Sequence, residues 1–128
     1  MNAAQILIPV SVGELFDRIS ILKLKLAKLS DEFKLANVRY ELESLESIAE
    51  QFPLDGEPSE LVQGLSVVNA RLWDIEDELR DMERRQEFSD DFVAAARQVY
   101  KLNDERFRLK NELSHTFGSH IFEEKSYC

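Results

Sequence analysis

One cysteine, three prolines and four glycines are all that 128 residues hold of the types that staple or bend a chain. The cysteine is the last residue, Cys128, so no intrachain disulfide can form and a reducing, cytoplasmic setting is expected. So little glycine and proline excludes low-complexity disorder and argues against a turn-rich β fold. No apolar run approaches the ~18 residues that a membrane helix needs, and the start, MNAAQILIPVSVGELF, lacks the basic n-region of a secretory leader. Basic side chains are also in deficit, 16 against 25 acidic, for a net charge of −9. Nucleic-acid binding needs a clustered cationic footprint, and none is present. GxSxG, P-loop, GxGxxG and CxxC motifs are absent too, so serine hydrolase, NTPase, dinucleotide and redox-motif readings have no support, and no cofactor is expected.

What is present is a 44% hydrophobic chain, enough for one core and too little for two, so residues 1–128 read as a single domain. Its charge is unevenly spread. Residues 1–40 carry six basic and four acidic side chains, residues 41–91 four and sixteen, residues 92–128 six and five. The acidic block is full of periodic apolar residues, so it reads as one acidic helical face and not as a mobile tail.

Periodicity sets the organisation. Ser11-Val12-Gly13-Glu14 has the form of a capping box. Val12, Leu15, Ile19, Leu22, Leu26 and Leu29 then follow the three–four spacing of an amphipathic helix, with Phe16, Ile21 and Leu24 adding apolar residues off that seam. A second helix opens at Ser30-Asp31, carries Leu35, Val38, Leu42, Leu45, Ala49 and Phe52, and stops at Pro53. Ser59 is the expected cap of the third, whose stripe of Leu61, Leu65, Val68, Leu72, Ile75, Leu79 and Met82 is the clearest heptad pattern. The fourth runs from about Asp91 to Phe117, with Ser89 or Asp90 as cap and Gly118 just past its end. Its stripe is Phe92, Ala95, Val99, Leu102, Arg106, Leu109 and Leu113, so Arg106 is the one charge on an apolar seam.

Four helices with short connections predict an all-α, antiparallel four-helix bundle with coiled-coil-like long helices and short extended terminal segments. The last two helices outrun the first two, which leaves apolar surface for the termini or a second copy of the chain to cover. A homodimer is the common solution.

The stretches VSVGELFDRISILKLK, KLANVRYELESL, LWDIEDELRDMERR, VYKLNDERFRLKNEL and EEKSY together resemble a bacterial family of short all-helical domains of unknown function. The resemblance runs from about Val10 to Tyr127. It implies a bacterial origin and no assigned chemistry, and its recurring polar positions fall on Ser11, Glu14, Asp17, Asn37, Asp74, Asn103, Arg106, Glu124 and Lys125.

Several constellations invite a chemical reading. Glu43-x-x-Glu46 and Glu78-x-x-Asp81 have the spacing of the Mg²⁺ pairs of helical nucleotide pyrophosphohydrolases, but they lie beside the inward stripes, as a solvated face would. Residues 68–85 faintly resemble the first helix of helical chorismate mutases, except that the pattern breaks at Phe88-Ser89 where that family continues to another basic residue. His115 and His120 are five apart with Gly118 between them, which suits surface histidines, so no metal site is expected.

Arg106 carries the sharpest question. A hairpin centred near Phe88–Ser89 sets Asn103 against Asp74 and makes Asp74 and Asp77 the expected carboxylates for Arg106, with Trp73 beside them. The plain reading is a structural ion pair; the functional one is a cationic group in a cavity for an anionic ligand. A second polar region is expected where the chain's two ends meet. There Ile8, Val10, Ile121 and Phe122 should turn inward, in a short β-type pairing, with Glu123, Glu124, Lys125 and Tyr127 near Ser11, Glu14 and Asp17. The reading that follows is a protein-interaction or assembly module, with no catalytic residue, in which that pole could receive a protein partner. Its alternative is a small-molecule enzyme or binder built around Arg106, Asn103 and Asp74.

Overall fold

The structure, a computed structural model, describes residues 4–126. It is all-helical, with α1 at Val12–Lys28, α2 at Glu32–Ala49, α3 at Glu57–Arg84 and α4 at Asp90–Thr116. No strand occurs among the described residues, and the arrangement is that of a helical bundle. No described helix is long and apolar enough to cross a membrane.

Local chemistry explains most of the helix ends. The Ser11 hydroxyl accepts the Glu14 N–H at 3.0 Å and opens α1. Only half of the expected capping box forms, because the Glu14 carboxylate turns to Arg18 and Lys110 instead. Asp31 caps α2 by accepting the Lys34 N–H. Ser59 does not cap α3: that helix starts at Glu57 behind Gly56, whose φ of +63° suits glycine. Pro58 fits the first turn because a proline there forfeits no helical hydrogen bond. At the far end Gly118, with φ +67°, lets the Ser119 N–H reach the Ser114 carbonyl at 2.8 Å and turns the chain back along α4.

The inward stripes meet as the spacing requires. Leu15, Ile19 and Leu22 pack with Leu65, Val68, Leu72, Leu102, Leu109 and Leu113, all buried. The helix α1 is central, touching each of the others, whereas α2 neighbours only α1. As a result Leu35, Val38 and Leu42 are buried while Phe33, Tyr40 and Ile48 on the same helix stay exposed. Beyond the end of α2, Phe52 closes the core edge-on to Phe16 and Phe117.

Lys28, the last residue of α1, lies 3.5 Å from Asp74. From that level α3 runs on to Arg84, an overhang of about 15 Å. There α3 and α4 cover each other: Met82 and Ala95 are buried and Phe88 packs edge-on against Phe92. The termini do not serve this overhang, since Ser119 bonds to Val12 at the opposite end.

Candidate functional site

A polar cluster sits where α1, α3 and α4 meet. Its centre is Asp17, 1% exposed in the middle of the apolar face of α1. A carboxylate so placed must be neutralised and hydrogen-bonded. Arg106 does both, donating from Nε to Oδ1 at 2.9 Å and from Nη2 to Oδ2 at 2.6 Å, a bidentate fork. Asn69 donates a third bond to Oδ1 at 3.0 Å and reaches the Ser20 hydroxyl at 3.2 Å.

Lys110 forms the second tier. Its buried ammonium lies 2.7 Å from Glu14, 3.0 Å from Glu123 and 3.9 Å from Asp17. Burial disfavours that charge, but hydrogen bonds to Glu14 and Glu123 outweigh it and hold the Lys110 pKa above its ordinary value. Burial also works against the Glu14 carboxylate, and Lys110 and Arg18 overcome it, so its pKa lies below the usual carboxylate range. The hydrogen bonds to Asp17 outweigh burial at Arg106 and raise its pKa above the ordinary value.

A pH dependence follows. A carboxylate whose folded pKa is depressed contributes stability above its unfolded value of ~4.3 and loses it as pH falls through the folded value. Denaturant unfolding followed from neutral pH into acid should therefore show a loss that Glu14→Gln makes shallower; an identical acid limb in the variant would remove Glu14 as a cause. Lys110 acts in the opposite sense, its contribution intact below ~10.4 and lost as pH rises through the raised folded value.

The N-terminus of α1 is closed by three hydroxyls. Val12, Gly13 and Glu14 donate their N–H groups to Ser119, Ser114 and Ser11 at 3.0, 2.9 and 3.0 Å. Gly13 permits this approach: a Cβ there would lie 2.6 Å from the Lys110 carbonyl carbon and closer still to its oxygen. The segment after α4 folds back beside this cluster. Asn111 donates to the Glu123 carbonyl at 3.1 Å, Phe122 stacks on His115, and the Lys125 ammonium lies 5.1 Å from the Phe107 ring centre.

The expected site residues are redistributed by this geometry. Arg106 does not pair with Asp74 or Asp77. A hairpin of two helices lacks α1, which lies against the face Arg106 presents and supplies Asp17. Asp74 is exposed beside Lys28, while Asp77 faces Arg80 at 4.0 Å. Trp73, Asp77, Asn103 and Arg106 line one cleft of about 510 Å³. Glu14, Glu123 and Lys125 line another, of about 280 Å³, together with Asn103 and Arg106. The two expected regions therefore adjoin at Arg106.

The terminal segments depart from expectation. They share the α1 pole, but Ile8, Val10 and Ile121 are exposed and Phe122 is half-buried. No β pairing joins the segments among the described residues, because the tail runs along α4. Glu124 is exposed, and Tyr127 lies outside the described residues.

Sequence reading missed Ser20, Asn69, Lys110 and Ser114, all buried. Each directly follows a stripe residue: Ile19, Val68, Leu109 and Leu113. A helix enclosed on more than one side buries these neighbours as well. Glu43, Glu46, Glu78 and Asp81, the candidate metal pairs, are exposed, with Glu46 beside Lys23 and Asp81 beside Arg84 and Arg85.

The class of protein so defined is an all-helical domain with a charge-balanced polar cluster built into its core. The chain belongs to a family of unknown function, DUF6165, whose model matches residues 6–128. No curated protein and no solved structure matches it.

Proposed function

We propose that this protein is an assembly module, an antiparallel bundle with coiled-coil-like long helices that pairs with a second copy of itself in the cytoplasm. The observation that carries the reading is the segment before α1. Ile6 and Leu7 are 85% exposed and Ile8 63%, three consecutive large aliphatics in water. Covering each fully is worth ~1.5–3 kcal/mol, and a patch of this kind marks an interaction surface.

The segment also flanks an apolar groove of about 340 Å³ that includes Leu15, Leu45, Ile48 and Phe52. Residues 4–10 make no backbone hydrogen bond to other described residues, so their main chain is free to pair. An extended edge with apolar side chains is self-complementary across a twofold axis. The lone cysteine fits a reducing compartment.

Sedimentation at micromolar concentrations should return a dimer, and the double change Ile6→Ser, Leu7→Ser should return a monomer with its helical content intact. A monomeric unmodified chain would overturn the reading.

A further inference from the structure

A cleft that the assembly reading does not use lies between α1, α3 and α4. We propose that it binds a small monocarboxylate with an apolar or aromatic body, the carboxylate against Arg106 and Asn103 and the body against Trp73. Arg106 spends Nε and one N–H of Nη2 on Asp17. Nη1 makes no hydrogen bond among the described residues, and the side chain, 30% exposed, lines both this cleft and the adjoining one. A guanidinium anchored by one carboxylate is preorganised to meet another without the entropy of ordering a free arginine.

Two further residues of the cleft carry donors without a hydrogen-bond partner among the described residues, the Asn103 amide and the Trp73 indole N–H. Both side chains are half-buried. The apolar part of the wall is Ile21, Leu24 and Leu72, and Asn69, Glu76, Asp77 and Arg80 complete the lining. Ile21 and Leu24 are the residues that make α1 greasier than its seam requires, and here they face a cleft and not the packed core. Apolar walls with a few placed polar groups are the usual make-up of a small-ligand site, and 510 Å³ suits a compact one.

Charge selects the class. Arg106 is already neutralised by Asp17, and Glu76 and Asp77 line the cleft with only Arg80 between them, at 3.7 and 4.0 Å. A doubly charged phosphate would meet two acids, and both guanidiniums that could hold it, Arg80 and Arg106, are already paired with carboxylates. A monoanion needs no more than Arg106 and neutral donors offer. A cation could meet Glu76 and Asp77 but would find Arg106 and the indole and amide N–H groups opposed to it.

Trp73 is the only tryptophan, so its emission reports on this wall directly. Phenylacetate titrated into the full chain should give a saturable change in that emission at millimolar concentrations. Phenethylamine, with the same ring and the opposite charge, and inorganic phosphate should give none. Asn103→Asp keeps size and removes neither member of the Asp17–Arg106 pair, while adding a negative charge where the ligand's carboxylate would sit. It should weaken phenylacetate at least about tenfold with the unfolding midpoint retained. No saturable change with phenylacetate, an equal response to phenethylamine, a stronger response to phosphate, or unchanged affinity in Asn103→Asp would each overturn the proposal. None of these readouts depends on dimerisation.

Discussion

Replacing Arg106 with leucine should destabilise the fold by about 3–5 kcal/mol, the penalty for stranding one member of a buried ion pair. The loss falls on Asp17, which at 1% exposure cannot turn to water. Without the fork it keeps only the Asn69 amide at 3.0 Å and the Lys110 ammonium at 3.9 Å. The reciprocal change, Asp17→Asn, should cost less, on the order of 1–3 kcal/mol, because Arg106 is 30% exposed and can swing into solvent. The double change of both residues to leucine should recover much of the Arg106→Leu loss, since a matched apolar pair leaves no buried charge. Urea unfolding of the three variants reads the asymmetry. An Arg106→Leu midpoint equal to that of the unmodified chain would mean that Asp17 finds solvent or a proton in the folded state.

Gly13→Ala should be as damaging, at or beyond the upper end of the ~1–3 kcal/mol typical of overpacking. The added methyl would meet backbone, not the end of a side chain, with the Lys110 Cα at 2.9 Å and its carbonyl carbon at 2.6 Å. No rotamer relieves such a clash, so α1 must move away from α4. That movement would stretch the Gly13 N–H bond to Ser114 and the ion pair between Glu14 and Lys110. Gly64→Ala is the control: its Cβ would meet only the Leu109 methyl groups at 3.3 Å, which can shift. The expected order is a severe loss at Gly13 and a mild one at Gly64, read as thermal midpoints. Equal midpoints would mean that the helices separate more easily than their shared hydrogen bonds imply.

The helices were legible because their signals are local. Ser11, Asp31 and Gly118 act on backbone groups within a turn of themselves, and the stripes from Leu61 to Met82 and from Phe92 to Leu113 depend on spacing alone. Arg106 was legible for the same reason, as a charge on an apolar seam. Its partner was not, because Asp17 and Arg106 stand 89 residues apart and meet only through the packing of α1 on α3 and α4. The start of α3 was misplaced because Ser59 is a good cap by type, whereas Gly56 and Pro58 open the helix by backbone conformation. The exposure of Ile8 and Val10 escaped notice because composition says that a segment is apolar and not what covers it.

The serines at the head of α1 impose an order on how the molecule is made. Ser114 and Ser119 take up the N–H groups of Gly13 and Val12 from more than a hundred residues downstream. On a growing nascent chain, α1 and α2 emerge first as a lone pair with Asp17 unmatched. The pair α3 and α4 then follows and encloses α1 late. Contacts so distant in sequence slow folding and leave apolar surface uncovered in the meantime. The N-terminal helix is therefore made first and finished last.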